Sequence, residues 1–99
     1  MWYPAEQGQT IGQTGSENGR ILADEEYRSS CRITLEEGGY IAPYSITCGI
    51  YGRMVHTVFA RDRSEAEENY AQIKQELSFA IDSDGNAFDA WREQFIARW

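Results

Sequence analysis

Two side chains with chemistry of their own stand close together in the stretch ITCGIYGRMVH, residues 46–56. Cys48 is one of two cysteines, and His56 is the single histidine of the chain. A thiol and an imidazole are the parts of a nucleophile and its base, in which the imidazole takes the thiol proton and the thiolate attacks an electrophile. That chemistry needs the two side chains to meet. It also needs an electropositive, partly open setting for the thiolate and a third group to orient the base. No Asn or Asp stands at an obvious position for the third role. The competing reading is a hairpin core, because buried cysteine behaves as a small hydrophobe.

Register decides whether the pair meets, since a slip of one residue turns a side chain to the other face. A two-residue loop, Tyr51-Gly52, sets Cys48 and His56 on opposite faces, but a type I′ turn then puts Tyr51 at positive φ. A three-residue loop, Ile50-Tyr51-Gly52, uses Gly52 as the left-handed residue after a type I turn. Cys48 then pairs with Met54, and Cys48 and His56 become diagonal neighbours on one face. A loop of Tyr51-Gly52-Arg53 pairs Cys48 and His56 directly. Turn chemistry therefore favours a shared face, and the neighbours on that face are mostly apolar. Tyr44, Cys48, Tyr51, Arg53 and His56 are the candidate pocket or contact residues, and none is assigned a catalytic role.

A second stretch, DSDGNAFDAWRE at residues 82–93, resembles the calcium loop of an EF-hand. That loop carries oxygen ligands at positions 1, 3 and 5, a glycine at 6 and a bidentate glutamate at 12. Asp82, Asp84, Asn86 and Glu93 fall on ligand positions. Ala87 stands where the glycine belongs, and Asp89 occupies a position that is normally apolar. A helix–helix turn with Gly85 at the break accounts for the same residues. The turn is the favoured reading, and no metal or other cofactor is expected. No phosphate-binding loop, dinucleotide fingerprint or zinc spacing is present. The carboxylates of Asp24-Glu25-Glu26 and Glu36-Glu37 read as solvated surface.

The elements that must position these residues follow from hydrophobic period. Residues 1–20 form a polar, glycine-rich arm with Trp2, Tyr3 and Ile11 as apolar anchors, which implies docking and one short strand. Residues 20–61 hold antiparallel strands. Cys31, Ile33 and Leu35 alternate with Arg32, Thr34 and Glu36, as in a half-buried strand. Tyr44, Ile46, Cys48 and Ile50 alternate again, and RMVHTVFAR is rich in β-branched and aromatic residues. The period then changes to that of a helix over 63–82, with Ala66, Tyr70, Ile73 and Leu77 on one stripe and a capping box at Ser64 and Glu67. A second helix over 86–99 carries Phe88, Trp91, Phe95 and Trp99. Four large apolar side chains on a terminal helix serve either the core or an interface with another chain.

Ninety-nine residues make a single domain spanning 1–99. The expected class is α+β: a three- to four-stranded antiparallel meander followed by two C-terminal helices packed on one face. The net charge of −7 argues against binding to nucleic acid or to an anionic membrane surface. There is no secretory segment and no apolar run long enough to cross a bilayer. Two cysteines are too few for a disulfide framework, which points to the cytoplasm. The functional reading is a small acidic protein-interaction module, not an enzyme, that self-associates through its C-terminal aromatic helix, with Phe88, Trp91, Phe95 and Trp99 as the candidate interface, or takes a protein partner. The alternatives are an inhibitor or immunity-type protein neutralising a basic enzyme, a small-ligand or enzymatic pocket around Cys48 and His56, and the degenerate calcium loop.

Overall fold

Side-chain alternation over residues 20–60 builds one antiparallel sheet, whose strands follow one another in space as in the chain. The computed structural model describes residues 1–83 and 87–99. Its strands are β1 (Trp2–Pro4), β2 (Arg20–Tyr27), β3 (Cys31–Glu37), β4 (Tyr44–Ile50) and β5 (Met54–Ala60). Two helices follow, α1 (Arg63–Asp82) and α2 (Phe88–Arg98). The order β1-β2-β3-β4-β5 is a meander, so the class is α+β with five strands where three or four were expected. The extra strand comes from the N-terminal arm, where Trp2, Tyr3 and Pro4 pair with Tyr27, Glu26 and Glu25 of β2.

One face of the sheet carries the core. Cys31, Ile33 and Leu35 of β3, Ile46, Cys48 and Ile50 of β4, and Met54 and Val58 of β5 are buried against Ala66, Tyr70, Ile73 and Leu77 of α1. Each such aliphatic side chain contributes about 1.5–3 kcal/mol by leaving water. The α1 stripe is the one read from the sequence, but the cap is not. Asp62, rather than Ser64, precedes the helix and accepts from the Glu65 N–H at 2.8 Å, while Glu65 accepts from the Arg61 N–H at 3.0 Å. The pattern resembles a capping box displaced by two residues, except that the glutamate reaches the N–H of Arg61, before the cap, and not that of Asp62 itself. At the far end of α1, Asp82 accepts from Tyr27 Oη at 2.7 Å and from Arg28 Nη1 at 2.8 Å, which ties the helix to the β2–β3 turn.

The opposite face of the sheet is half covered. The arm folds back over β2 and β3 through two carboxylates that the sequence reading placed on the surface. Asp24 is 2% exposed and Glu36 is 1% exposed. Asp24 accepts from Arg32 Nε at 2.8 Å and Nη2 at 2.6 Å, from Thr10 at 2.8 Å and from Thr34 at 2.9 Å. Glu36 accepts from the backbone N–H of Gly19 at 3.0 Å and of Glu17 at 3.2 Å. Gly15 lies so close to the Glu36 carboxylate that a Cβ there would overlap it. These buried carboxylates stay because donors meet them, as burial of a charge requires. The arm leaves the remainder of this face bare over β4 and β5.

Candidate functional site

The β4–β5 hairpin has the Tyr51-Gly52-Arg53 loop. Ile50 pairs with Met54 and Cys48 pairs with His56, a displacement of two residues from the favoured register that keeps both side chains on the core face. The reason is the place of Gly52. It takes φ +76° as the third residue of the turn Ile50–Arg53, closed by the Arg53 N–H to the Ile50 carbonyl at 2.9 Å. A left-handed residue at that position defines a type II turn and suits glycine.

Facing each other does not make Cys48 and His56 a dyad. Cys48 Sγ donates to the His56 backbone carbonyl at 3.5 Å, not to the ring. Burial pushes the Cys48 thiol up to about 12, with the neighbouring Cys31 adding to it. Burial likewise pushes Cys31 up to about 11. A thiolate nucleophile needs the opposite shift. The His56 ring meets the Phe95 ring edge-on at 6.2 Å, and its Nε2 is buried with no hydrogen-bond partner among the described residues.

The other candidates separate. Tyr44 donates to Glu37 at 3.0 Å at the far end of β4. Tyr51 reaches across the bare face to Glu26 on β2, and burial followed by that hydrogen bond pushes its phenol up to about 12. The Arg53 guanidinium lies 3.7 Å above the Phe88 ring. The α2 stripe turns inward: Phe88 and Phe95 are buried, Trp91 stacks on Phe95 at 4.9 Å, and Trp99 Nε1 donates to Glu76 at 3.3 Å. Of the calcium-loop positions, Asp82 is held by Tyr27 and Arg28, Glu93 is exposed, and Asp84 and Asn86 lie outside the described residues. Among the described residues no group of three or more His, Cys, Asp and Glu is placed to hold a metal ion.

Apart from all these candidates stands the outer edge of the sheet at β5. Alternate residues of a strand direct their N–H and C=O to opposite sides. The Tyr51 N–H bonds to the Ser30 carbonyl at 3.0 Å, on the β3 side, so Ile50, Cys48, Ile46 and Tyr44 bond toward β5. Their partners Met54, His56, Val58 and Ala60 use their backbone groups inward. Val55, Thr57 and Phe59 therefore direct theirs away from the sheet. Among the described residues no hydrogen bond reaches those groups. Proteins usually blunt such an edge with charge, proline or a bulge. MVHTVFA has no charged residue and no proline, and its pairing with β4 is unbroken.

The side chains of these residues face the bare side. Val55 is 79% exposed and Phe59 41% exposed. Between them Thr57 continues a row of threonines, opposite Thr47, which is opposite Thr34. Beside this row lies an open groove of about 560 Å³ lined by Arg32, Thr34, Thr47, Gly49, Tyr51 and Val55. The signal available in the sequence was the place of RMVHTVFAR as the last strand of a meander, with no later segment of strand type to pair with it. Comparisons of the chain with models of known families, with curated proteins and with solved structures found no match.

Proposed function

We propose that this chain is a protein-interaction module without catalytic activity, which takes up a partner by adding a strand at the outer edge of β5. The observation that carries the reading is the row of outward N–H and C=O groups at Val55, Thr57 and Phe59, on an uncharged strand of seven residues. Strand addition supplies affinity through main-chain hydrogen bonds and specificity through alternate side chains. Val55 and Phe59 offer apolar contacts, and Thr57 offers a hydroxyl between them.

The thiol–imidazole pair gives little support to an enzyme, because burial raises the thiol and, among the described residues, no hydrogen bond reaches Nε2 of the ring. Two free cysteines in the core suit the reducing conditions of the cytoplasm, where we place the module. Among the described residues no helix is long and apolar enough to cross a membrane.

Amide exchange residue by residue in dilute solution tests the reading. The expected pattern alternates: Met54, His56, Val58 and Ala60 protected, Val55, Thr57 and Phe59 exchanging fast. Uniform protection along β5 in a monomer means the edge is already occupied by the chain itself and overturns the reading.

A further inference from the structure

Resting on that docking reading, we infer that the added strand is β5 of a second copy of this chain, antiparallel and centred on Thr57. A two-fold axis there sets Thr57 opposite its own copy. It also sets Val55 opposite Phe59 of the second copy, and Phe59 opposite Val55. All three pairs use the outward groups, and each exchanges two backbone hydrogen bonds. The strand is complementary to itself in this register. On the bare face an aliphatic β-branched side chain meets an aromatic one at both ends, a favourable cross-strand pair. The Thr34–Thr47–Thr57 row runs on through the seam. On the core face His56 meets Val58.

Charged side chains flank β5 at both ends. Arg53 precedes β5, with its guanidinium on Phe88. After β5, Arg61 lies 3.7 Å from Asp62 and 3.6 Å from Glu65, a cluster of one positive and two negative charges. In this register Arg53 falls opposite Arg61 of the second copy, with Asp62 and Glu65 beside Arg61 to offset the like charges, so the pairing of Val55 with Phe59, not charge, sets the register. A slide of two residues about the axis sets Val55 against Arg61 and leaves Phe59 opposite Thr57, so the aromatic–aliphatic pairs are lost. A closed two-fold contact of this kind uses the β5 edge of both copies at once, so that edge stops at the dimer.

Single-cysteine crosslinking under mild oxidation tests register and occupant together. A hydrogen-bonded antiparallel pair places Cα atoms about 5.5 Å apart, within disulfide range. Thr57→Cys is expected to form a disulfide dimer by itself. Val55→Cys and Phe59→Cys are expected to do so only when the two variants are mixed. The mixed pair keeps the test alive if Thr57→Cys does not fold. The native thiols are buried and do not compete. Light scattering on the unmodified chain is run beside it. A monomer at every concentration, no crosslink and freely exchanging β5 amides overturn the second copy and leave strand docking to a different chain. A dimer without the Thr57 crosslink also overturns the inference, since the copies then meet elsewhere. Protected edge amides in a monomer overturn this inference and the docking reading together.

Discussion

Cys48 and His56 stand directly opposite each other in the β4–β5 ladder, yet the sulfur bonds to the histidine backbone and the two rows of side chains around them are core. Their proximity is a product of the hairpin register. With burial raising the thiol to about 12, very little of Cys48 is ionised at pH 8. Alkylation of Cys48 in the folded protein is therefore expected to be slow and to accelerate strongly in urea, followed by mass spectrometry. Rapid labelling of the native protein would restore the nucleophile reading.

His56→Leu follows from the same geometry. The substitution removes the unpartnered Nε2 and keeps an apolar side chain beside Phe95. A buried polar atom without a partner costs about 1–3 kcal/mol. A gain in stability of about 1 kcal/mol is expected in urea unfolding, and a clear loss would mean that His56 has a partner in solution.

Asp24→Asn removes the charge that holds Arg32 and the docked arm. Breaking a buried pair costs about 3–5 kcal/mol, and the partial exposure of Arg32 reduces this to about 2–3 kcal/mol. Burial alone would raise the Asp24 carboxyl. The bonds from Arg32, Thr10 and Thr34, with the charge of Arg32, overcome that and hold it below the ordinary value of 3.8. A lowered folded value means that Asp24 contributes fully above 3.8, and its contribution is lost as pH falls through the folded value. The stability gap between the native chain and Asp24→Asn should be constant near neutral pH and close only below about pH 4. A gap that closes between pH 7 and 5 would contradict this assignment.

Glu36→Gln tests the second buried carboxylate. One side-chain oxygen is replaced by a donor facing the Glu17 and Gly19 N–H groups, at an expected cost of about 1–3 kcal/mol. Amide exchange at Glu17 and Gly19 should rise more than exchange in β4. Equal effects in both places would mean that the carboxylate supports the whole sheet and not the arm.

The β2–β3 turn stores strain. Arg28 and Ser29 sit at φ +52° and +53° in a turn closed by the Ser30 N–H to the Tyr27 carbonyl at 2.9 Å. Left-handed backbone costs a residue with a Cβ about 1–2 kcal/mol, and glycine little. The second central position of such a turn favours glycine. Ser29→Gly should raise the melting temperature by roughly 4–8 °C for each 1 kcal/mol recovered, after the loss of the Ser29 hydroxyl contact with Tyr3. A lower melting temperature would show that this contact outweighs the strain.

The helix stripe Ala66, Tyr70, Ile73 and Leu77 and the strand face Cys31, Ile33 and Leu35 were legible because each repeats at the period of its element. β2 was obscure for two reasons. The sheet shifts register between Ile21 and Ala23, which breaks the alternation. Its acids also look like surface until Arg32, Thr10 and Thr34 are brought to Asp24 by folding. Glu25 is a further case, since it accepts from Tyr70 at 2.7 Å and from Lys74, the only lysine, at 3.0 Å. The α2 stripe read as core or as interface, with core somewhat favoured, because either burial satisfies the same aromatic side chains. The free edge was implicit in a meander, but whether the arm or a helix covers it depends on contacts distant in sequence, which local pattern does not encode.

The most direct test of self-association through β5 is the solution mass of the native chain and of Thr57→Pro, measured by light scattering over a range of concentrations. Proline at this position removes an outward N–H and leaves the ladder to β4 intact, as edge strands allow. The account predicts a dimer for the native chain, tightened by added salt because two chains of charge −7 repel, and a folded monomer for Thr57→Pro. A native chain that stays monomeric, or a folded Thr57→Pro that dimerises as well as the native chain, would contradict it.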